Sequence, residues 1–220
     1  MMKKINLSKK ALTYIFSGVG ALILLLTDLF TKIGVVNYFK SHTSPIVLIP
    51  GFLRINYTLN EAAAFGIGFS NPTVNRVLYC IIALIGIGII VTILSLKGKK
   101  MHIIEIVCCY LIGVGALGNF IDRVFYSSSF LSGAYLTTDR GGLVVDWIDF
   151  YGIWQFNFNI ADSCIVIGVL ILIVYLIVDE VITSRKNKAE KVEVISNKDK
   201  VLSKDELERL EEQKNIKEKQ

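Results

Sequence analysis

Four long apolar runs, each poor in charge, alternate with polar stretches along the chain. They cover about 11–30, 77–96, 102–122 and 161–181. At about 1.5 Å rise per residue, each is long enough for a helix to cross a hydrocarbon core of roughly 30 Å. The second run, Val77 to Leu96, holds no charged residue, whereas the third has Glu105 near its start and Gly118-Asn119 near its end. The fourth opens at Ala161-Asp162 and closes at Asp179-Glu180. The pattern predicts an all-α membrane protein of four transmembrane helices with two long connections, about 31–76 and 123–160. In the first connection, Ile46 to Tyr57 is β-branched and aromatic and is broken by Pro50-Gly51, which predicts a small hairpin or sheet on the membrane surface. From about 185 the pattern changes to 11 basic and 9 acidic residues in 36, which suits a solvated helix or a disordered tail; Ser203 to Glu206 is a candidate capping box. The division expected is a membrane domain over 1–182 and a charged tail over 183–220.

Composition and charge add an orientation. With 53% hydrophobic residues and a mean hydropathy of +0.54, the chain is too apolar for an ordinary soluble domain. The net charge of +5 is no nucleic-acid signature, because the lysines sit beside the apolar runs. Lys3, Lys4, Lys9 and Lys10 precede the first run, Lys97, Lys99 and Lys100 crowd the turn between the second and third, and Arg185, Lys186 and Lys188 follow the fourth. Basic residues are sparse in both long connections, so both termini should be cytoplasmic and both connections outside. Ala11 to Thr27 is long for a signal-peptide core and ends at Asp28 without a small-residue cleavage site, so it reads as an uncleaved first helix. Cys80, Cys108, Cys109 and Cys164 all fall in apolar stretches and read as buried thiols.

That orientation sorts the polar residues. Asp28, Asn119, Asp122, Arg123, Asp146, Asn159 and Asp162 come out near the outer face, and Glu105, Asp179 and Glu180 near the inner one. His42 and His102 belong to opposite sides, which rules out a histidine-assisted nucleophile within the outer cluster. No metal-ligand spacing and no Gly-rich phosphate loop occurs, so neither metal nor cofactor is expected. Carboxylates remain. Two aspartates sharing one proton can hydrolyse a peptide: the ionised one takes a proton from water while the neutral one bonds to the scissile carbonyl. Asp146 and Asp162 are the candidates. Asp162, at the start of the fourth helix, suits the ionised role, although such dyads titrate as a pair. Asn159 and Asp162 are three apart, as are Asn119 and Asp122, and Arg123 is four from Asn119, so each set can share a helix face and hold or balance the carboxylates. Structural readings stand beside these: Asp162 as a helix cap, Asp28 and Arg123 as marks of helices leaving the bilayer, Asp149 on a solvated loop. The aromatic stretch Trp147 to Phe158 suits interfacial anchoring or a lid, and Gly113, Gly115, Ala116 and Gly118 suit close helix packing. The alternative from another class is a transporter or ion-relay subunit, which would spread its carboxylates through the bilayer depth.

Five blocks resemble the lipoprotein signal peptidases (signal peptidase II), aspartic membrane peptidases of bacteria. Asp28-Leu29-Phe30-Thr31-Lys32 is similar to the family's D-x-x-T-K, Asn60 to Gly66 to its N-x-G-A-A-F segment, and Gly118 to Arg123 to G-N-x-I-D-R. Val144 to Phe150 and Phe158 to Ser163 resemble the two blocks that bear the catalytic pair. The resemblance spans about 11–182. It implies that Asp146 and Asp162 are the dyad and that Asp28, Asn60, Asn119, Arg123 and Asn159 shape or support the site, with Lys32 and Asp122 inside the same blocks. It implies, too, a surface cradle and an aromatic lid formed by the outer loops, at the extracytoplasmic face of the bacterial inner membrane. The implied substrates are prolipoproteins whose cysteine already carries diacylglyceryl, cut just before that cysteine; the partners expected are these substrates and membrane lipids, the chain itself being monomeric. Ala62 and Phe156 depart from the family pattern, about fifteen extra residues lie around 126–142, and the charged tail exceeds the family's usual length.

Overall fold

The computed structural model describes residues 8–60, 69, 71–126 and 143–217. In chain order these form α1 (Lys9–Phe39), β1 (Ile46–Ile49), β2 (Leu53–Asn60), α2 (Pro72–Lys97), α3 (Ile103–Phe125), β3 (Val144–Asp149), β4 (Asn157–Phe158) and α4 (Ile160–Lys217). Four helices among the described residues are long and apolar enough to cross a membrane. Two compact units are distinguished, Met1–Leu172 and Ile173–Gln220.

Three of the helix boundaries are set by polar residues that hydropathy overlooks. α1 was expected to end near 30 but runs to Phe39, because Asp28, Lys32, Val36 and Phe39 recur at helical spacing and form one buried stripe. The two charges are paired inside the protein, so they do not end the helix. α2 starts five residues before the apolar run, where Asn71 accepts from Thr73 N at 2.9 Å and Pro72 takes the first turn. At α3, the His102 side chain accepts from Ile104 N while Glu105 returns to His102 N, so both residues serve the helix start. α4 is assigned to Lys217, so the stretch expected to be a solvated helix or disordered is helical, and Ser203 to Glu206 lies inside a helix instead of starting one.

The predicted hairpin forms. Ile49 O accepts from Phe52 N at 3.0 Å across Pro50-Gly51, with Gly51 at φ +73°, the left-handed position that a type II turn requires. The sheet is larger than the hairpin. Its antiparallel order is β1-β2-β3-β4, with β3 and β4 drawn from the second connection. The end of α1 supports it through Val36 and Phe39, which pack with Tyr57, Tyr126 and Val145 in a buried cluster. Asp149, expected on a solvated loop, is buried on β3, where it accepts from Arg54 Nε at 2.6 Å and Asn56 Nδ2 at 3.2 Å. Burying a carboxylate is tolerable when it is paired and hydrogen-bonded, as here. Phe150 packs against Phe52 and Phe158. The extra stretch around 126–142 lies outside the described residues apart from Tyr126, as does the second family block beyond Asn60, whereas the candidate lid, Trp147 to Phe158, is described and runs from β3 to β4.

Candidate active site

The site is built on the start of α4. A helix N-terminus leaves backbone N–H groups without helical partners. Asn159 is the cap: its Oδ1 accepts from Asp162 N at 2.8 Å, and Asp162 Oδ2 accepts from Asn159 N at 3.1 Å, a reciprocal capping box. Asp28 Oδ1, from α1, accepts from Ala161 N at 2.9 Å. The cap is therefore Asn159 and not Asp162, which is the third residue of α4 and returns one carboxylate oxygen to the N–H of the cap.

β3 brings Asp146 to the same place. Thr58 of β2 pairs with Asp146 and Asn60 pairs with Val144, so Asn60 is the diagonal neighbour of Asp146 on one face of the sheet. Asn60 Nδ2 donates to Asp146 Oδ2 at 2.9 Å, and Asn159 Nδ2 donates to Asp146 Oδ1 at 2.8 Å. Asn159 therefore holds both acids, Asp146 by its side chain and Asp162 by its backbone. Asn119 of α3 completes the frame, donating through Nδ2 to Asp162 Oδ1 at 2.7 Å and accepting at Oδ1 from Asn159 Nδ2 at 3.0 Å. Burial, and after it the Asp162 carboxylate, push Asp146 well above the usual carboxylate range.

Behind this frame, Lys32 Nζ lies 2.7 Å from both Asp28 Oδ2 and Asp122 Oδ2, with all three side chains at most 1% exposed. Arg123 donates to Asn119 O at 3.3 Å and lies over the Tyr79 ring, within electrostatic reach of Asp162. All nine residues singled out in the sequence are gathered at one end of the helices. Asp146, Asp162, Asn60, Asn119 and Arg123 line a cavity of about 1210 Å³, whereas Asp28, Lys32, Asp122 and Asn159 do not reach its wall. The cavity is polar at the sheet and apolar along α2 and α4, where Ile82, Ala83, Val166 and Leu170 form its sides. Arg54 and Tyr151 also line it, the guanidinium stacked 4.8 Å from the ring centroid. The sequence reading gave Arg54 no role, although it is an isolated cation in an otherwise uncharged strand segment, and placed Tyr151 only within the aromatic stretch that suits an anchor or a lid.

Small residues allow this convergence. A Cβ on Gly118 would lie 2.9 Å from both Asp28 Oδ2 and the Ala161 Cβ, and one on Gly115 would meet Ala161 O. Packing that close leaves no room for even a methyl group. Gly118→Ala should therefore lower turnover by about tenfold or more, because misplacing a catalytic group by about 1 Å can cost roughly 10²-fold. Turnover of the purified variant at wild-type level would show that Asp28 and Ala161 yield freely.

The profile of the family described as signal peptidase (SPase) II matches residues 20–178. A lipoprotein signal peptidase of Fusobacterium nucleatum subsp. nucleatum is 36% identical over 153 residues, 70% of this chain and 81% of the relative. One from Syntrophus aciditrophicus (strain SB) is 35% identical over 159 residues, 70% and 88% of the two chains. A solved structure described as a bacterial membrane enzyme, obtained by the in meso method at 2.3 Å resolution, superposes with a TM-score of 0.59 at 30% identity, covering 75% of this chain and 89% of its own.

Proposed function

Because the chain belongs to the signal peptidase II family, and is thus a protease and a multi-pass protein of the bacterial inner membrane, we propose that it is an aspartic endopeptidase whose catalytic dyad is Asp146 and Asp162. It removes signal peptides from prolipoproteins, as the curated relatives' shared name indicates. The finer reading is that cleavage falls just before a cysteine that already bears diacylglyceryl. A membrane peptidase domain reaches to about 182, and the charged tail beyond it takes no part in catalysis.

The observation that carries the reading is Asn159, one residue whose side chain and backbone tie both acids to a single cavity edge. Water adds to the scissile carbonyl carbon and gives a proton to the ionised aspartate, while the protonated aspartate gives its proton to the carbonyl oxygen. In the collapse the first aspartate returns its proton to the leaving nitrogen, and the second takes one back from the tetrahedral hydroxyl. The dyad ends as it began, with one proton between two acids. Asn60, Asn119, Asn159 and Arg123 hold or balance the pair, and Asp28, Lys32 and Asp122 brace the helices that carry it.

The cavity's change from polar sheet to apolar helix walls suits a substrate with a peptide bond at the membrane edge and hydrocarbon below it. Charge placement supports an outward-facing site with both termini cytoplasmic, and Lys10 Nζ, bonded to Lys99 O, puts the start of α1 beside the α2–α3 turn at one end. The chain acts as a monomer. Carboxylates gathered at one end also favour this chemistry over the ion relay, which needs them across the bilayer. Purified protein incubated with a diacylglyceryl-modified precursor should release a product whose mass starts at the lipidated cysteine, while the unmodified precursor stays uncut. Equal cutting of both precursors, or a product beginning elsewhere, would refute the finer reading.

A further inference from the structure

The triad of Lys32, Asp28 and Asp122 is buried behind the cavity and touches neither water-facing wall nor substrate path, yet it is not sealed off from the dyad. Lys32 Nζ also donates to Asn119 Oδ1, at 3.4 Å. An ammonium can only donate. Asn159 Nδ2, the other group on Asn119 Oδ1, is itself a donor, fixed as such because Asn159 Oδ1 accepts from Asp162 N. Turning the Asn119 amide over would set its NH2 against an ammonium and a second NH2. The amide therefore presents its Nδ2 to Asp162 Oδ1, at 2.7 Å. Asp162 Oδ2 meets a backbone N–H, so both oxygens of Asp162 face groups that donate and never accept. The oxygens of Asp146 also face donors, the amides of Asn60 and Asn159, but only Asp162 sits at the N-terminus of α4, where a backbone N–H and the helix dipole add to the Asn119 amide in favouring the ionised form.

We infer that Lys32, acting through the side-chain amide of Asn119, fixes Asp162 as the ionised, water-activating member of the dyad and leaves the shared proton to Asp146. Lys32 is a positioning residue: it touches neither substrate nor the reacting atoms. The inference rests on the reading of Asp146 and Asp162 as the catalytic pair and deepens it. The burial that favours a protonated Asp146 agrees with this division of roles.

The effect is one of direction and not of net field. The triad holds one ammonium and two carboxylates, a net charge of one negative, which would oppose a second anion nearby. The other groups around it are Tyr126 at the end of α3 and Cys164 on α4, and those facing the dyad are Arg123 of α3 together with Lys32 and Asp28 of α1. This separates two variants. Lys32→Met removes the donor and changes the net charge. Lys32→Met/Asp122→Asn removes the donor, keeps the net charge at one negative and leaves no second carboxylate unpaired, so it folds more readily than the single variant.

The test is the pH profile of kcat/KM for cleavage of a diacylglyceryl-modified precursor, wild type first. Failure of the wild type to cut would count against the proposed function and not against the role of Lys32. With the wild type active, the acid limb should rise by about one pH unit in both variants, the scale of one lost hydrogen bond to a charged group, with KM little changed. An acid limb unmoved in the double variant overturns the inference. Movement in Lys32→Met alone overturns it too, because it would mark a field effect instead of an oriented amide.

Discussion

Asn159→Ser should lower kcat by about 100-fold while leaving the protein nearly as stable as the wild type. Serine is a good helix cap, so its hydroxyl can still accept from Asp162 N and α4 keeps its start. What serine cannot do is reach Asp146 and Asn119, which now receive Asn159 Nδ2 at 2.8 and 3.0 Å. Loss of one preorganised donor at a reacting centre typically costs about 10²–10³ in rate. Asn159→Ala should match the loss of rate and add about 1 kcal/mol of instability from the missing cap. Asn159→Asp should be the worst of the three, because it sets a third carboxylate against Asp146 Oδ1. The check is kcat alongside thermal unfolding in detergent. Serine and asparagine proteins of equal activity would show that the bridge between the acids is dispensable.

The membrane helices were legible because hydropathy is a local property, and each run announces itself without reference to the rest of the chain. Where α1 ends was not. Asp28 and Lys32 look like the polar edge of a membrane span until Asp122, on another helix, is known to pair with Lys32. The start of α2 was written in Asn71-Pro72, a cap followed by a residue suited to the first turn. The hairpin was readable from Pro50-Gly51 between two β-branched segments. β3 was hidden because its partner β2 lies some ninety residues earlier, and Asp149 looks solvated until Arg54 is seen opposite.

In the site, residue type and topology were enough to collect seven of the nine polar groups at one end, and the family resemblance added Lys32 and Asn60. The amide directions were not readable, since each is decided by contacts between distant segments, such as Asn119 with Asp162 and Asn159 with Asp146. The capping box of Asn159 and Asp162 is the exception, three residues apart and therefore visible as spacing.

Asp146→Asn and Asp162→Asn carry the largest expected effect. Asparagine preserves size and its carbonyl oxygen can still accept from one of the donors that hold the native carboxylate at either position, so most of the frame should survive. It cannot take a proton from water or pass one to a carbonyl oxygen. When catalytic groups act as a unit, loss of either costs nearly as much as loss of both, so each variant should fall by about 10⁴-fold or more, and the double variant little further. The direct measurement is single-turnover cleavage of a diacylglyceryl-modified precursor by wild type, the two single variants and the double variant, each confirmed as inserted and folded. Loss of cleavage in all three variants is the predicted result. Cleavage at the wild-type rate by either single variant would contradict the dyad.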